Sequence, residues 1–282
     1  MTSSVDHEVT FGELYKMRPR AEAVATLAGW PAIHPDMTDQ TPLAGRIALV
    51  TGSSRGIGRA AALGLAQAGA HVIATARTQG GLEALDDAIF AATGEHATLV
   101  PMDLRNGDGI DQLGRQLFDR WGRLDILVAS AGELGVLTPV GHLEPRTFER
   151  AVGVNLTANF RLMRSMEPLL RASDAGRGIF LTTGLAQEPR AFFGAYAASK
   201  AGLEALVSCW ADELEHTQVR VTLLSPGPMQ TRMRAAAFPG EDPTQHPEPE
   251  AIAPTIVELA RPDRTPPAFL RFQPLILATT PQ

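Results

Sequence analysis

The chain has 282 residues, of which 44% are hydrophobic and 20% are charged, a balance typical of a soluble globular protein with a sizeable core. Its net charge of −6 gives no support for nucleic-acid binding, which normally requires a basic stripe, and no apolar run approaches the ~20 residues of a membrane span. The single cysteine, Cys209, excludes an internal disulfide and fits a reducing compartment, so we expect a cytoplasmic protein. The histidines lack metal-binding spacings, and no metal site is predicted.

Residues 1–43 precede the first regular pattern. They mix acidic and basic residues and lack the apolar stretch of a secretory signal. Met37 opens a stretch, MTDQTPLAGRIALVTG, that would itself make a natural beginning of the domain. We therefore interpret residues 1–43 as either an N-terminal arm or the product of a mis-assigned start, and we place one domain at 44–282.

From Arg46 onwards, short apolar runs alternate with helical patterns. This alternation indicates βαβ crossovers and a parallel sheet with helices on both faces. The predicted fold is α/β, a single doubly wound Rossmann-type domain. The predicted strands are 46–51, 71–76, 97–102, 123–130, 178–183 and 219–225. The first predicted helix follows the first strand and runs to Ala68, and the others cover 81–93, 107–122, 146–171 and 195–216.

A glycine-rich turn, TGSSRGIG at 51–58, follows the first strand and opens the first helix. Its GxxxGxG spacing places Gly52, Gly56 and Gly58 where a backbone can approach a pyrophosphate at a helix N-terminus. An ordinary turn can carry glycines too, but the position between strand and helix favours dinucleotide binding.

The residues expected near the cofactor ribose favour NADP(H) over NAD(H). NAD-dependent enzymes usually place an acid at the end of the second strand for the ribose 2′-hydroxyl, whereas Ala76 stands there in VIATAR. Arg77 follows it, and Arg55 lies in the glycine turn. Two cations beside one ribose suit a 2′-phosphate, although surface arginines are common in this chain.

Past residue 36 the chain contains one tyrosine and one lysine, Tyr196 and Lys200. Every other cationic side chain in that part is an arginine or a histidine. Residues four apart share one face of a helix. A phenol beside an ammonium suggests a proton donor with a lowered pKa, whereas an arginine cannot titrate in this way.

Five segments occur in a fixed order: TGSSRGIG (51–58), SAG (130–132), Asn155 in VNLTANF, YAASK (196–200) and SPG (225–227). Together they resemble the short-chain dehydrogenase/reductase family, over residues from about 44 to 260. The resemblance implies one Rossmann domain that transfers hydride between a nicotinamide nucleotide and a small-molecule carbonyl or alcohol. It also implies a homodimer or homotetramer, packed through the helices around 146–171 and 195–216.

The resemblance assigns catalytic roles to Tyr196, Lys200 and Asn155, and a cofactor contact to Asp103. Tyr196 would protonate the nascent alkoxide, and Lys200 would lower the pKa of that phenol and bond the nicotinamide ribose. Asn155 would hold a water that connects Lys200 to solvent, and Asp103 would contact the adenine. The candidate cofactor-binding residues are Gly52, Ser54, Arg55, Gly56, Ile57, Gly58, Arg77, Asp103, Leu104, Gly132, Asn155, Tyr196, Lys200, Pro226, Gly227 and Thr231.

The fourth catalytic position departs from the family pattern. The family's substrate-orienting serine usually lies thirteen residues before the tyrosine, where this chain has Thr183. A threonine hydroxyl can donate the same hydrogen bond, but its methyl group stiffens the side chain and crowds the site. Thr182 is a weaker substitute. Ser130 also replaces a customary asparagine, and FLRFQPLIL (269–277) replaces a glycine-rich last strand.

Candidate substrate contacts follow the catalytic strand, the SAG segment and the SPG turn, and a lid is expected around 229–250 because FPGEDPTQHPEPE (238–250) has the composition of a mobile loop. Two phenylalanines and two methionines among the contacts suggest an apolar or aromatic carbonyl, although such residues also pack cores and lids. These contacts are Glu133, Leu134, Leu185, Gln187, Phe192, Phe193, Met229 and Met233.

The leading hypothesis is an NADPH-dependent carbonyl reductase. A 3-oxoacyl-thioester reductase is the first alternative, and Arg190, Arg232 and Arg234 could supply the basic patch that an acidic carrier needs. A catalytically weak NADP(H)-binding sensor is the second alternative, suggested by Thr183. The sequence leaves the substrate and the physiological direction open.

Overall fold

The computed structural model describes residues 41–272 together with the two-residue strand Ala25–Thr26. Most of the predicted N-terminal extension and residues 273–282, which include the second half of the departing tail segment 269–277, therefore lie outside the described residues. The strands are β1 Ala25–Thr26, β2 Ile47–Thr51, β3 His71–Ala76, β4 Thr98–Pro101, β5 Ile126–Ala129, β6 Arg177–Leu181, β7 Arg220–Ser225 and β8 Phe269–Arg271. The α-helices are α1 Gly56–Gln67, α2 Gln79–Thr93, α3 Gly107–Trp121, α4 Pro145–Val152, α5 Ala158–Arg171, α6 Gly194–Glu213, α7 Arg232–Ala237 and α8 Ala253–Ala260.

All strand pairs are parallel, and the strands lie in the order β1-β8-β7-β6-β5-β2-β3-β4. From β2 the chain adds β3 and β4 on one side, and then crosses back to β5 and continues the other way, while the short β1 lies at the far edge beside β8. The direction of winding therefore reverses between β2 and β5. In open α/β sheets, ligands bind in the crevice outside the carboxyl ends of the strands at such a reversal. The predicted α/β, Rossmann-type fold is confirmed.

The central strands are mostly apolar because helices cover both faces of the sheet, with Thr51 at the end of β2 and Arg177 at the start of β6 as buried exceptions. Every residue of β2, β5 and β6 is buried. One core cluster includes Leu65 of α1 and Leu82 of α2, and the other includes Leu162 of α5 and Trp210 of α6. This burial on two sides explains why the strands read as unbroken apolar runs instead of alternating patterns.

The long helix predicted at 146–171 is interrupted by a π-helical turn over Gly153–Thr157, between α4 and α5. A π turn widens the helix by one residue, and such turns occur often at functional sites. Its central residue, Asn155, is fully buried. The interruption thus singles out the residue that the resemblance placed in the catalytic group.

Two short helices after β7 were not predicted, α7 and α8. The segment between them contains two 3-10 turns, Pro243–Gln245 and Pro249–Ile252. Helix α8 packs on α1 with Ile256 and Leu259 fully buried or nearly so. No helix in the described part of the chain is long and apolar enough to cross a membrane.

Candidate active site

The glycine turn between β2 and α1 lies where the winding of the sheet reverses. Gly52 and Gly56 have positive φ angles of 68° and 55°. A Cβ on Gly52 would lie 2.8 Å from Ala131 Cα, and one on Gly58 would lie 2.4 Å from the Gly52 carbonyl oxygen. Helix α1 has no acidic residue in its first turn, so its positive end meets the turn without a neutralising charge. The turn fits the pyrophosphate of a dinucleotide.

The other predicted cofactor contacts lie around this turn. A Cβ on Gly56 would lie 3.5 Å from Thr231 Cγ2, so the start of α7 faces the turn directly. A Cβ on the exposed Gly132 would lie 3.5 Å from Asn155 Oδ1. Gly227 adopts a φ of 70° after β7. Of the remaining candidates, Ser54 and Ile57 lie in the turn and at the start of α1, Leu104 is buried after β4, and Pro226 is half-buried before Gly227.

The two arginines expected at the ribose are both exposed. Neither Arg55 nor Arg77 forms an ion pair with a residue in the described ranges. Across from them, Arg105 holds the Asp103 carboxylate through several bonds, the shortest being 2.6 Å from Nη2 to Oδ2. This guanidinium lowers the pKa of Asp103 to about 2, and the charge of Arg77 adds to the effect. Two unpaired cations beside a strand that ends in Ala76 suit a 2′-phosphate.

Tyr196 and Thr183 meet between the first turn of α6 and the end of β6. Both side chains are half-buried, and their hydroxyls share a hydrogen bond. Burial raises the pKa of Tyr196 to about 12, and the Thr183 bond works against that rise. Thr182, the weaker candidate, is buried and its hydroxyl donates to Glu204 instead. The structure thus brings Thr183, not Thr182, to the phenol.

Lys200 lies one helical turn beyond Tyr196 and is 3% exposed. Its Nζ donates a 2.6 Å hydrogen bond to the carbonyl oxygen of Leu181, the last residue of β6. Burial lowers the pKa of Lys200 to about 8, and the charge of Glu204 opposes the shift. The expectation of a lowered phenol pKa is wrong for this arrangement, because the ammonium is bonded to β6 and burial dominates at the phenol.

The buried Asn155 connects three segments of the site. Its Oδ1 accepts from the Glu133 backbone N–H at 2.8 Å, and its Nδ2 donates to the Glu133 carbonyl at 2.8 Å. The same Nδ2 donates to Ser199 Oγ at 2.9 Å, and Ser199 donates to the Tyr196 carbonyl at 2.9 Å. Asn155 therefore fixes the segment after β5 against the first turns of α6. The water that the resemblance assigns to Asn155 stays a prediction.

The expected substrate contacts fall into two groups. Phe193 is 7% exposed and stacks on Phe238 with ring centroids 5.9 Å apart, and Met229 is 2% exposed. These two side chains are packing residues. Phe192 is 54% exposed and has a positive φ of 73°, a backbone conformation that costs an aromatic residue energy. Met233 lies 3.7 Å from the position of a Cβ on Gly132, so it borders the predicted cofactor groove.

The segment expected to form the lid has its own network of side chains. Arg234 holds Glu241 through two 2.5 Å hydrogen bonds and lies 3.8 Å from the centre of the Phe238 ring. His246 Nε2 lies 3.0 Å from Glu241 Oε1. Arg234 and His246 together lower the pKa of Glu241 to about 2. Arg234 is therefore engaged within its own segment, by Glu241 and by the Phe238 ring.

Two residues of the site, Ser199 and Glu204, were not predicted from the sequence. Ser199 is 1% exposed and links Asn155 to Tyr196. Glu204 accepts a hydrogen bond from Thr182 and acts on Lys200 through its charge. The four-residue spacing that identified Tyr196 and Lys200 would have found Glu204, had it been extended by one more turn. No cluster of three or more metal-ligating side chains was found among the described residues.

The sequence of this chain is similar to those of known oxidoreductases. A family model described as short chain dehydrogenase matches residues 46–242. The uncharacterized oxidoreductase YciK of Escherichia coli (strain K12) is 37% identical over 211 residues, which cover 74% of this chain and 83% of that protein. The chloroplastic NADPH-dependent aldehyde reductase 2 of Arabidopsis thaliana is 35% identical over 213 residues, which cover 68% of this chain and 75% of that protein.

The fold comparison gives a consistent result. A short chain dehydrogenase from Shigella flexneri 2a str. 301, determined in complex with NADP, superposes with a TM-score of 0.79 at 35% sequence identity. The superposition covers 82% of this chain and 98% of that chain. An identity of this size, over nearly the whole of the other chain, shows common family as well as common fold.

Proposed function

The chain belongs to the short-chain dehydrogenase family of oxidoreductases, and from this premise we propose that it transfers hydride between NADP(H) and a small-molecule carbonyl or alcohol. The observation that carries the proposal is the meeting of the Tyr196 and Thr183 hydroxyls one helical turn from a buried lysine. A phenol, a second hydroxyl and a titratable amine are the groups that protonate and orient a carbonyl oxygen.

A bound nicotinamide nucleotide supplies or accepts the hydride. The residues of the chain handle the proton and the orientation. With a pKa near 12, the Tyr196 phenol keeps its proton at neutral pH and is ready to donate it to the substrate oxygen. The Thr183 hydroxyl can donate a second hydrogen bond to the same substrate oxygen and so help to hold it in position. Lys200, with a pKa near 8, can hold or release a proton close to physiological pH.

The cofactor preference rests on the groups at the ribose. Arg55 and Arg77 are exposed, and β3 ends in Ala76 where an NAD-dependent enzyme would place an acid. The aldehyde reductase named above is NADPH-dependent, and the Shigella flexneri relative was determined with NADP. We infer that NADP(H) is preferred over NAD(H).

A 3-oxoacyl-thioester reductase is supported less well than a reductase of free carbonyl compounds. The basic patch that an acidic carrier would need contained Arg190, Arg232 and Arg234, and the last of these is bonded to Glu241. Arg190 and Arg232 remain exposed. A sensor without turnover is less well supported still, because Thr183 shares a hydrogen bond with the phenol as a substrate-orienting hydroxyl should.

The remaining parts of the proposal concern context. We propose a cytoplasmic protein that forms a homodimer or homotetramer through the helices around 146–171 and 195–216. We also propose that residues 229–250 act as a lid and that residues 1–43 are an extension of the Rossmann domain at 44–282. The family membership supports the assembly, and the position of Thr231 opposite Gly56 of the glycine turn supports the lid.

A substrate panel with both cofactors tests the function. The full chain is mixed with NADPH or NADH and a set of aldehydes, ketones, quinones and 3-oxoacyl thioesters, and cofactor oxidation is followed by absorbance. We expect turnover with NADPH on at least one free carbonyl compound. Tight NADPH binding without turnover on any member would favour the sensor, and turnover confined to the thioesters would favour the alternative reductase.

A further inference from the structure

Helix α6 holds three consecutive residues at the end of β6 by means of three residues spaced four apart. Side chains at this spacing lie above one another on one face of a helix. Two of the three are the catalytic pair of the proposed function, and the third, Glu204, has no role so far. The contacts pair Tyr196 with Thr183, Lys200 with Leu181, and Glu204 with Thr182.

The hydrogen bond between Glu204 and Thr182 is short, and Thr182 is its buried partner. Thr182 Oγ1 donates to Glu204 Oε1 at 2.6 Å, and Thr182 is 3% exposed. The backbone N–H of Thr182 donates to the Leu224 carbonyl of β7 at 2.9 Å. Thr182 is thus fixed from two directions, by the neighbouring strand and by Glu204. The direction in which the next residue, Thr183, leaves the strand follows from how Thr182 is held.

The second oxygen of Glu204 faces the mouth of the site. Gln187 Nε2 lies 3.4 Å from Glu204 Oε2, and Arg271 Nη2 donates to Gln187 Oε1 at 3.3 Å. Gln187 closes the 3-10 turn that follows Thr183. Glu204 therefore holds both the residue before the orienting hydroxyl and the turn after it.

Glu204 also supplies a charge to the surroundings of Lys200. Helix α6 carries Tyr196 and Glu204 one turn to either side of Lys200, and β6 presents the Leu181 carbonyl to the ammonium. The π turn nearby contributes the uncharged Asn155. Burial alone would favour a neutral amine, and the negative charge of Glu204 favours the ammonium.

We propose that Glu204 is a positioning residue for the reaction, holding the end of β6 so that Thr183 meets the phenol and placing a negative charge one helical turn from Lys200. This inference rests on the proposed function and names a residue that the Tyr196, Lys200, Thr183 and Asn155 set does not contain. A residue that only stabilised the fold would change the melting temperature and leave the titration of Lys200 where it was.

Kinetics over a range of pH separate the two roles. Glu204→Gln removes the charge and keeps the shape, and Thr182→Val removes the anchor and keeps the charge. Glu213→Gln is the matched control, since Glu213 is an exposed glutamate at the end of the same helix. For Glu204→Gln we expect kcat to fall about tenfold, as misplaced orienting groups cause, with the dissociation constant for NADPH within about threefold of wild type.

The pH dependence of kcat is the second measurement that separates the two roles. The alkaline limb of the kcat profile should move to lower pH in Glu204→Gln and stay in place in Thr182→Val and Glu213→Gln. Thr182→Val should lower kcat through geometry alone. A Glu204→Gln variant with a lower melting temperature but unchanged kcat and an unchanged pH profile would overturn the proposal.

A direct measurement does not depend on turnover. The chain contains two lysines, Lys16 and Lys200, so labelling with lysine carrying ¹³C at the ε carbon gives two signals, and Lys200→Arg assigns them. The titration midpoint of Lys200 should fall in Glu204→Gln and remain at the wild-type value in Glu213→Gln. An unchanged midpoint in both would overturn the proposal, even if the substrate panel showed that the proposed function itself is wrong.

Discussion

The Lys200 ammonium nitrogen lies 2.6 Å from the carbonyl oxygen of Leu181, so the middle of α6 is bonded to the last residue of β6. Lys200 is buried, and a buried backbone carbonyl next to the site would otherwise need another donor. The bond gives Lys200 a structural role besides the chemical one proposed for it. From this bond we expect that another cation could not simply replace Lys200.

Lys200→Arg should abolish most of the turnover while keeping the positive charge. The guanidinium is a planar fork, larger than the ammonium, and it cannot give up a proton in a protein. We expect kcat to fall by about 10²-fold or more, the range associated with the loss of a group that takes part in proton transfer. Steady-state kinetics at saturating NADPH provide the measurement. Turnover close to that of wild type would show that Lys200 serves only as a charge.

Lys200→Met should change how stability depends on pH. Burial lowers the pKa of Lys200 from 10.5 to about 8, so between these values the unfolded chain binds more protons than the folded one. The free energy of unfolding of the wild type should therefore rise with pH through this window. The methionine variant lacks this titration, and its melting temperature relative to wild type should be highest below about pH 8 and should decline towards about pH 10.

Calorimetric scans of both proteins across that range provide the test for Lys200→Met. Tyr196 titrates only at higher pH and does so in both proteins, so it does not produce the difference. A melting-temperature difference that stays constant from about pH 7 to about pH 10 would show that Lys200 is not perturbed by burial.

The double variant Arg55→Ala, Arg77→Ala should weaken the use of NADPH far more than that of NADH. A hydrogen bond to a charged group contributes about 1.5–3 kcal/mol, so the KM for NADPH should rise about 10–100-fold for each effective contact. The KM for NADH should change little, since it has no 2′-phosphate. Arg115→Ala, an exposed arginine of α3, serves as the control. Equal effects on the KM values for both cofactors would show that Arg55 and Arg77 do not bind the 2′-phosphate.

Gly58→Ala should damage cofactor binding through the backbone. The added Cβ would lie 2.4 Å from the Gly52 carbonyl oxygen, and overpacking of this kind costs about 1–3 kcal/mol. We expect a lower melting temperature and an NADPH dissociation constant raised about tenfold or more, measured by fluorescence titration. Gly141→Ala is the control, because a Cβ there meets no atom within 4 Å. Wild-type NADPH affinity in Gly58→Ala would show that the turn does not hold the pyrophosphate.

The strands and long helices could be predicted from the sequence because each has a recognisable local pattern of apolar residues. The predicted strand 71–76 has the bounds of β3, and the strand predicted at 219–225 differs from β7 by one residue. The π turn at Asn155 could not be predicted, since it depends on where α4 and α5 are held by other elements. Short α7 was missed because its segment is fixed by Arg234, Glu241 and His246, and these contacts have no periodic signature.

In the candidate site, the sequence predicted residues that stand at a fixed local spacing. It did not predict residues whose role depends on contacts between positions far apart in the chain. Tyr196 and Lys200 stand out in the composition, and the structure places both beside the end of β6. The bond from Lys200 goes to a main-chain carbonyl, a group that every residue has, so no pattern announces it. Thr182 and Glu204 are 22 positions apart, and their contact exists only once β6 and α6 are packed together.

The most direct test of the account is Tyr196→Phe, which removes one oxygen atom from the site. Turnover of the best carbonyl substrate from the panel and NADPH binding are measured on the same preparation of wild type and variant. We expect kcat to fall by about 10²–10⁴-fold, the range for loss of a general acid, while the dissociation constant for NADPH stays within about threefold of wild type. A variant that retains kcat near the wild-type value would contradict the assignment of Tyr196 as the proton donor.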